Sequence, residues 1–368
     1  MPATQKNIAR PLRLARILTP DTRNLPPAYF AMVMSTGIVS LSCWQRGWQW
    51  LGMGLFGIAI AVYLLLWWLT ILRFNQHRRL FFEDVASHSR GPGFFTTVAA
   101  SGVLGSEFLT LLNDTHVSSV LLALTVLLWF VLTYTIFTAL TIKEEKPTLD
   151  KGISGAWLLA VVATQSVAVL SALLATRLEQ PYRLDLNFMA LAMWLGGGML
   201  YIWMMSLIFY RYTFYHFSAG DLSPPYWINM GAMAISTLAG SALILNSGDA
   251  PLLESIKPFM KGFTIFFWAT GTWWIPMLVI LGLWRHVFMR FPFQYDPLYW
   301  GAVFPLGMYS VATRQMALAL DLPFLIPLAN AFTWISLFIW AIVFIGCIRS
   351  VLPGITAEPK NKSNPEQS

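Results

Sequence analysis

Residues 51–72 read LGMGLFGIAIAVYLLLWWLTIL, an apolar run without a single charged side chain. A helix needs roughly 20 such residues to cross the ~30 Å hydrocarbon core of a bilayer. The whole chain of 368 residues follows the same trend, with 57% hydrophobic and 11% charged residues, against about 45–50% and about 25% in soluble domains. This composition excludes a soluble globular protein and predicts an all-α integral membrane protein, because helices satisfy their own backbone in lipid.

Nine further runs of comparable length and polarity accompany the first one. The ten predicted helices cover residues 28–43, 51–72, 94–110, 119–141, 154–175, 188–210, 226–247, 262–284, 298–318 and 324–348. They divide the chain into a basic cytoplasmic N-terminus (1–26), a ten-helix transmembrane transport domain (27–349) and a polar cytoplasmic tail (350–368) that we expect to be disordered.

The basic residues support this count, because an error of one helix would scramble their alternation between the two sides. Of the 24 Lys and Arg residues, 18 fall on the side of the N-terminus and 6 on the other. We therefore expect the protein to lie in a bacterial inner membrane with both termini in the cytoplasm. The net charge of +7 is a topology signal and does not indicate a nucleic-acid partner. The N-terminus lacks the apolar core of a signal peptide, so we expect it to be retained.

A repeat marks the starts of the odd-numbered helices. Proline followed by aromatic residues occurs at Pro27, Pro92, Pro225 and Pro297, and Gly155 with Trp157 takes the corresponding place in the fifth helix. Proline is tolerated at a helix start, where the N–H group has no intrahelical partner. The interval is the length of one helical hairpin, so the pattern predicts five hairpins. Generic anchoring of aromatics at the membrane interface is the alternative.

Small residues separate the odd from the even helices. Gly, Ala, Ser and Thr account for 44 of 98 residues in the odd set and 33 of 116 in the even set. Small side chains allow close helix approach and leave space along an axis, whereas bulky apolar side chains suit lipid. We predict a quasi-fivefold ring of odd helices around a central pore, sheathed by the even helices. Close packing without a lumen would give the same composition.

Two stretches carry a resemblance to a known family. The segment from Pro27 to Ser40, PAYFAMVMSTGIVS, and the segment from Tyr299 to Pro305, YWGAVFP, resemble the tellurite-resistance/dicarboxylate transporter family, which includes plant slow anion channels and fungal malate and sulfite carriers. The resemblance implies a homotrimer with one pore in each protomer, and the passage of anions such as C4-dicarboxylates. It also implies that Phe304 plugs the pore, with Pro305 kinking the helix beside it. A phenylalanine that only packs in the core is the alternative.

The expected pore lining is built from small and hydroxyl-bearing side chains at similar depths. The candidates are Ser35, Thr36, Gly37, Thr97, Ser101, Gly102, Thr164, Gln165, Ser166, Ser236 and Thr237. Each hydroxyl could instead bond its own helix carbonyl. Because no Lys or Arg lies in the middle of an odd helix, we expect weak selectivity. Glu107 and Arg314 are expected as charges at the outer mouth, with anchoring at the interface as the alternative.

The sequence contains no pattern of residues that indicates an enzyme. It has no H-E-x-x-H or G-x-S-x-G motif, and its five histidines and two cysteines show no ligand spacing, so we expect no catalysis, metal or cofactor. The loops are too short to hold a folded receptor or scaffold module. The open choice is between a channel and a proton-coupled dicarboxylate carrier, and the residues do not identify the anion.

Overall fold

The computed structural model of the chain describes residues 22–292 and 295–356 and shows helices without a strand in that part. Nine of the described helices are long and apolar enough to cross a membrane, which confirms the all-α membrane class. The expected tail and the expected N-terminal segment lie largely outside the described residues.

Within residues 22–292 and 295–356, ten long helices form the body of the protein. We number them α1 (Ala31–Gln45), α2 (Gln49–Gln76), α3 (Phe95–Leu112), α4 (Thr115–Ile142), α5 (Leu159–Ala175), α6 (Tyr182–Phe214), α7 (Ile228–Leu245), α8 (Pro251–Leu283), α9 (Trp300–Leu320) and α10 (Ile326–Thr356). Helix α9 has 21 residues but is not among the nine candidate spans. Three outer helices differ most from the sequence prediction. Helix α8 begins at Pro251, before the predicted residue 262, α6 is longer at both ends, and α10 continues past residue 349, where we expected the tail to begin.

The odd-numbered helices are the inner helices and the even-numbered ones the outer helices. Each inner helix contacts the next, α1 with α3, then α5, α7 and α9, and α9 contacts α1 again. In four inner spans 72–94% of the residues are buried, against 22–44% in the five outer spans. The fifth inner helix, α9, is buried without interruption from Trp300 to Thr313. The inner helices therefore form a closed ring that the outer helices separate from lipid.

Every inner helix starts with one 3-10 turn. These turns span Pro27–Phe30, Gly91–Phe94, Gly155–Leu158, Pro224–Trp227 and Pro297–Tyr299, and each contacts its two neighbours in the same cyclic order. The residues that mark the repeat in the sequence thus build a second ring at the N-terminal end of the inner helices.

Gly155 shows why the third of these turns has no proline. A Cβ atom on Gly155 would lie 2.6 Å from the Pro225 carbonyl oxygen and 2.8 Å from the Cα atom of Tyr226. The neighbouring turn therefore approaches too closely for any side chain at position 155, and the repeat keeps its backbone geometry while it changes its residue.

Aromatic side chains of the outer helices bind polar atoms of the inner ring around the whole circle. Each outer helix forms a hydrogen bond with the inner helix that follows it in the chain, and α10 forms one with α1. The pairs are Tyr63 with Ser101 (2.7 Å), Trp129 with Thr164 (2.8 Å), Trp194 with the Ser236 carbonyl (2.8 Å), Trp268 with Thr313 (3.0 Å) and Trp340 with Thr36 (3.0 Å). Either hydroxyl of the Tyr63–Ser101 pair can be the donor. These bonds satisfy polar groups that lipid could not.

Basic residues at the ends of three outer helices tie successive hairpins together. Lys143 donates to the Ala86 carbonyl, Arg211 to the Ile153 carbonyl and Arg285 to the Leu222 carbonyl. In each case the acceptor lies in the connection from the preceding hairpin to the inner helix of the donor's own hairpin. Three of the basic residues from which we predicted the topology therefore hold the loops in front of the inner helices.

We expect Gly155→Ala to destabilise the protein by about 1–3 kcal/mol, the usual cost of overpacking. Gly57→Ala is the matched control, because nothing lies within 4 Å of a Cβ atom at that position. Thermal unfolding in detergent, followed by tryptophan fluorescence, measures both variants. Equal midpoints for the two would contradict the close contact between the turns.

Candidate functional site

A cavity of about 400 Å³ lies on the axis of the inner ring at the N-terminal ends of its helices. We call it the N-end cavity. All five inner helices contribute to its wall through their 3-10 turns and first helical turns, with Met34, Thr96, Leu159, Ile228 and Gly301 as the deepest residues. Five helix N-termini, each with roughly half a positive charge, therefore face one space.

Arg90 brings a positive charge to the wall of this cavity. Its Nε atom lies 3.1 Å from Asp84 Oδ1, and Asp84 also forms a buried salt bridge with Arg73. Two guanidinium groups thus share one carboxylate, which leaves one excess positive charge. The Arg90 Nη2 atom is buried and has no hydrogen-bond partner in the described part of the chain. The carboxylate of Asp296, also on the wall, accepts from the Leu298 N–H and brings one negative charge to the same cavity.

A second cavity, of about 240 Å³, lies on the same axis at the C-terminal ends of the inner helices. We call it the C-end cavity. It too is lined by all five inner helices, and its polar lining consists of Gln45, Ser106, Thr110, Ser166, Thr176, Asn246 and Gln315. None of these side chains is charged, so this cavity can hydrate an ion without strongly selecting one.

A closed layer separates the two cavities. On α5, α7 and α9 the last residue that lines the N-end cavity and the first residue that lines the C-end cavity are seven residues apart. These pairs are Leu159 and Ser166, Ile228 and Ile235, and Gly301 and Met308. Seven residues of α-helix rise by about 10 Å. One turn after the N-end lining residues, α3, α5 and α7 carry Ala99, Ala163 and Ala232. These inner helices contribute small side chains to the layer.

Phe304 is the large side chain of this layer on α9. The lining residues Gly301, Met308, Val311 and Gln315 mark the axial face of α9, and at 3.6 residues per turn Phe304 falls on that same face. Its side chain is fully buried. The next residue, Pro305, packs against α7, where a Cβ atom on Gly231 would lie 2.7 Å from the proline ring. The helical register therefore puts Phe304 at a level between the two cavity linings, next to a residue that has no N–H group for a helical hydrogen bond.

Two of the predicted pore-lining residues line a cavity, and the others make contacts with neighbouring helices or with their own helix. Gly102 and Ser166 line the C-end cavity, and they pack so closely that a Cβ atom on Gly102 would lie 2.9 Å from the Ser166 Cβ atom. The side chains of Thr36, Ser101, Thr164 and Gln165 instead bond to outer helices. Ser35 donates to the Trp300 carbonyl, and Thr97, Ser236 and Thr237 donate to carbonyls of their own helices. Gly37 faces Glu107 of α3.

The two predicted mouth charges do not lie in the cavities. Glu107 is fully buried between α1 and α3. It therefore does not reach the outer mouth, where we expected its charge. Arg314 donates to Asn330 of α10 at 2.8 Å, while its neighbour Gln315 lines the C-end cavity.

Sequence reasoning missed several residues of the cavities. Arg90 was counted only as a topology charge, and Ser106 and Thr110 were not singled out. A helical count could have found the last two, because Val103, Ser106 and Thr110 repeat every three to four residues along one face of α3. Nothing local distinguishes Arg90 from its neighbours Arg78 and Arg79.

Comparison with known proteins identifies relatives along nearly the whole chain. The model of a family described as voltage-dependent anion channel (SLAC1) matches residues 24–348. An uncharacterized transporter of Methanocaldococcus jannaschii is 24% identical over 341 residues, which cover 90% of this chain and 95% of the relative. An uncharacterized membrane protein of Mycobacterium tuberculosis is 40% identical over 149 residues, covering 40% of this chain and 75% of the relative.

We expect the lining of the C-end cavity to be accessible to water-soluble thiol reagents. In a background with Cys43→Ala and Cys347→Ala, Ser106→Cys should react about an order of magnitude faster than Ser101→Cys with a charged methanethiosulfonate, because exposure controls thiol reactivity. Ser101 is the matched control on the same helix, since its hydroxyl contacts Tyr63. Equal rates of modification would contradict the placement of the cavity.

Proposed function

This chain belongs to the SLAC1 family of voltage-dependent anion channels, and from that membership we propose that it conducts small anions along the axis of the inner ring, with Phe304 as the gate. The family confirms the resemblance drawn from Pro27–Ser40 and Tyr299–Pro305, and it is a family of channels and transporters, not of enzymes. The observation that carries the proposal is the pair of cavities at opposite ends of the inner ring, each lined by all five inner helices. The helical register of α9, which puts Phe304 at a level between the two linings, supports it as the gate.

The energetics of an anion on this path favour the proposal. A bare anion in hydrocarbon costs tens of kcal/mol, so a conduit must replace its water. The N-end cavity offers the excess charge at Arg90 and the positive ends of five helices. The C-end cavity offers hydroxyl and amide groups. Between them lies a dry layer about 10 Å thick along α5, α7 and α9 and about 6 Å thick along α1, and a hydrophobic constriction of this kind gates by excluding water.

The proposal includes the topology and assembly expected from the sequence. We place ten membrane helices, α9 included, as five hairpins in a quasi-fivefold arrangement around the pore. The cyclic order of contacts among the inner helices and their 3-10 turns supports this arrangement. We place the protein in a bacterial inner membrane with both termini in the cytoplasm, so that the N-end cavity opens to the cytoplasm. A negative interior then drives anions outward by about 2.3 kcal/mol per charge per 100 mV. We also propose that the protein assembles as the homotrimer that the family resemblance implies.

The anion is proposed by class. Several anions fit a path lined by uncharged polar groups: C4-dicarboxylates, of which malate is one example, and the inorganic anions sulfite, tellurite, chloride and nitrate. None is strongly preferred, because no bidentate arginine site faces the C-end cavity in the described residues. A proton-coupled dicarboxylate carrier is the second candidate, favoured by the carboxyl group buried beside the path. Flux into proteoliposomes with this panel of anions separates the two. A channel follows voltage and accepts several anions, whereas a carrier saturates and follows the proton gradient.

We expect Phe304→Ala to raise anion conductance in planar bilayers by an order of magnitude or more, because it removes the large side chain from the dry layer. Phe267→Ala is the matched control, since Phe267 is equally buried but packs on Trp194 of an outer helix. Both variants should lose about 3–5 kcal/mol of stability, but the control should not gain conductance. Currents of wild-type size from a well-folded Phe304→Ala protein would contradict the gate.

We expect Arg90→Gln to reduce the anion current that starts from the N-end cavity, most strongly at low salt, where screening is weak. Arg79→Gln removes the same charge from an exposed site, because Arg79 is 91% exposed and pairs with Glu83. Single-channel or macroscopic currents at two salt concentrations compare the variants. If both substitutions had the same effect, Arg90 would have no specific part in attracting anions.

A further inference from the structure

Glu107 is a fully buried carboxyl group inside the inner ring. Neither of its oxygen atoms has a hydrogen-bond partner in the described part of the chain. A Cβ atom on Gly37 of α1 would lie 2.5 Å from Glu107 Oε2 and 2.7 Å from a methyl group of Val103. The absence of a side chain at position 37 therefore creates the space that the carboxyl group occupies at the contact of α1 and α3.

No described cation faces this carboxyl group from any helix packed against it. Helices α1, α2, α4 and α5 contact α3. On α1 the Ser40 hydroxyl is near the carboxyl group but donates to the Gly52 carbonyl of α2. The titratable and charged residues of these helices are Cys43 on α1, Tyr63 and Arg73 on α2, and His116 and Tyr134 on α4, while α5 carries none. None of them contributes a charge interaction at Glu107.

The carboxyl group lies one side-chain layer from the proposed path. Val103, which touches the same space as Glu107, lines the C-end cavity, and so does Ile38, the residue after Gly37. On α1 the deepest lining residues of the two cavities, Met34 and Ile38, are four residues apart, so Gly37 stands at the closed layer. A charge on Glu107 would act on an anion there with little screening, because screening is weak inside a protein.

We propose that Glu107 is a proton-binding site whose occupancy controls anion passage. When the carboxylate takes a proton from water in the C-end cavity, it becomes a neutral carboxylic acid and the closed layer can admit an anion. When the proton returns to water, the negative charge beside the layer excludes the anion. An ionised carboxylate without a counter-ion or hydrogen bond is strongly unfavourable in a protein interior, whereas the neutral acid is tolerated. The proposal rests on the proposed function and adds the proton as a second ligand.

Flux measurements against pH test this proposal in proteoliposomes. Chloride flux through the wild-type protein should rise as the pH falls from about 8 to about 5, by at most about tenfold per pH unit for one proton. Glu107→Gln, which mimics the neutral acid in shape, should give a high flux that is independent of pH. Glu83→Gln is the control, because that carboxylate is exposed on a short helix and pairs with Arg79, and it should keep the wild-type pH profile.

The possible outcomes separate this proposal from the proposed function. A wild-type flux that does not change with pH, a Glu107→Gln variant with the wild-type profile, or a flux that follows sodium instead of pH would overturn the proton site. A wild-type protein without flux at any pH would overturn the anion path itself. Infrared spectroscopy then still tests Glu107 directly. The carbonyl stretch of a protonated carboxylic acid should be present in the wild-type spectrum and absent from that of Glu107→Gln, and its absence from both would refute the proposal.

Discussion

The structure depends on one constraint: a polar group inside the membrane needs a partner within the protein. The inner helices carry many hydroxyl groups, and the outer helices supply aromatic N–H and O–H groups to them, as Trp340 does for Thr36. Because each outer helix serves the inner helix that follows it, the last hairpin has to close on the first. The same bonds that satisfy the inner ring therefore hold it closed, and they leave its axis free of the bulky aromatic residues of the outer layer.

The sequence predicted the class, the hairpin repeat and the buried character of the inner helices, because span length, spacing and composition are properties of the chain itself. It did not predict which way the hydroxyls face. Thr36, Ser101 and Thr164 turn to outer helices, and the partner of Thr36 lies 304 residues away in the chain. The burial of Glu107 was missed for a related reason, since the space it occupies is created by Gly37 on another helix.

Charge is distributed unevenly along the axis. The N-end cavity has Arg90 and the positive helix ends, the C-end cavity has uncharged polar groups, and the layer between them has Phe304 with Glu107 behind it. On the proposed path, an anion would be attracted where it enters from the N-end cavity and hydrated at the other end. Under the proposed mechanism, passage is decided in the short dry layer, where Phe304 and Glu107 would act on the same space. This division assigns attraction and gating to different residues, so that they can be altered separately.

The central claim is that anions occupy the axis of the inner ring. The most direct measurement is a crystal structure of the protein in bromide, with the ion located by its anomalous scattering. The account predicts bromide on the axis in the N-end cavity, beside the Nη2 atom of Arg90. Bromide bound only outside the ring, with both cavities free of it at a concentration that supports flux, would contradict the account.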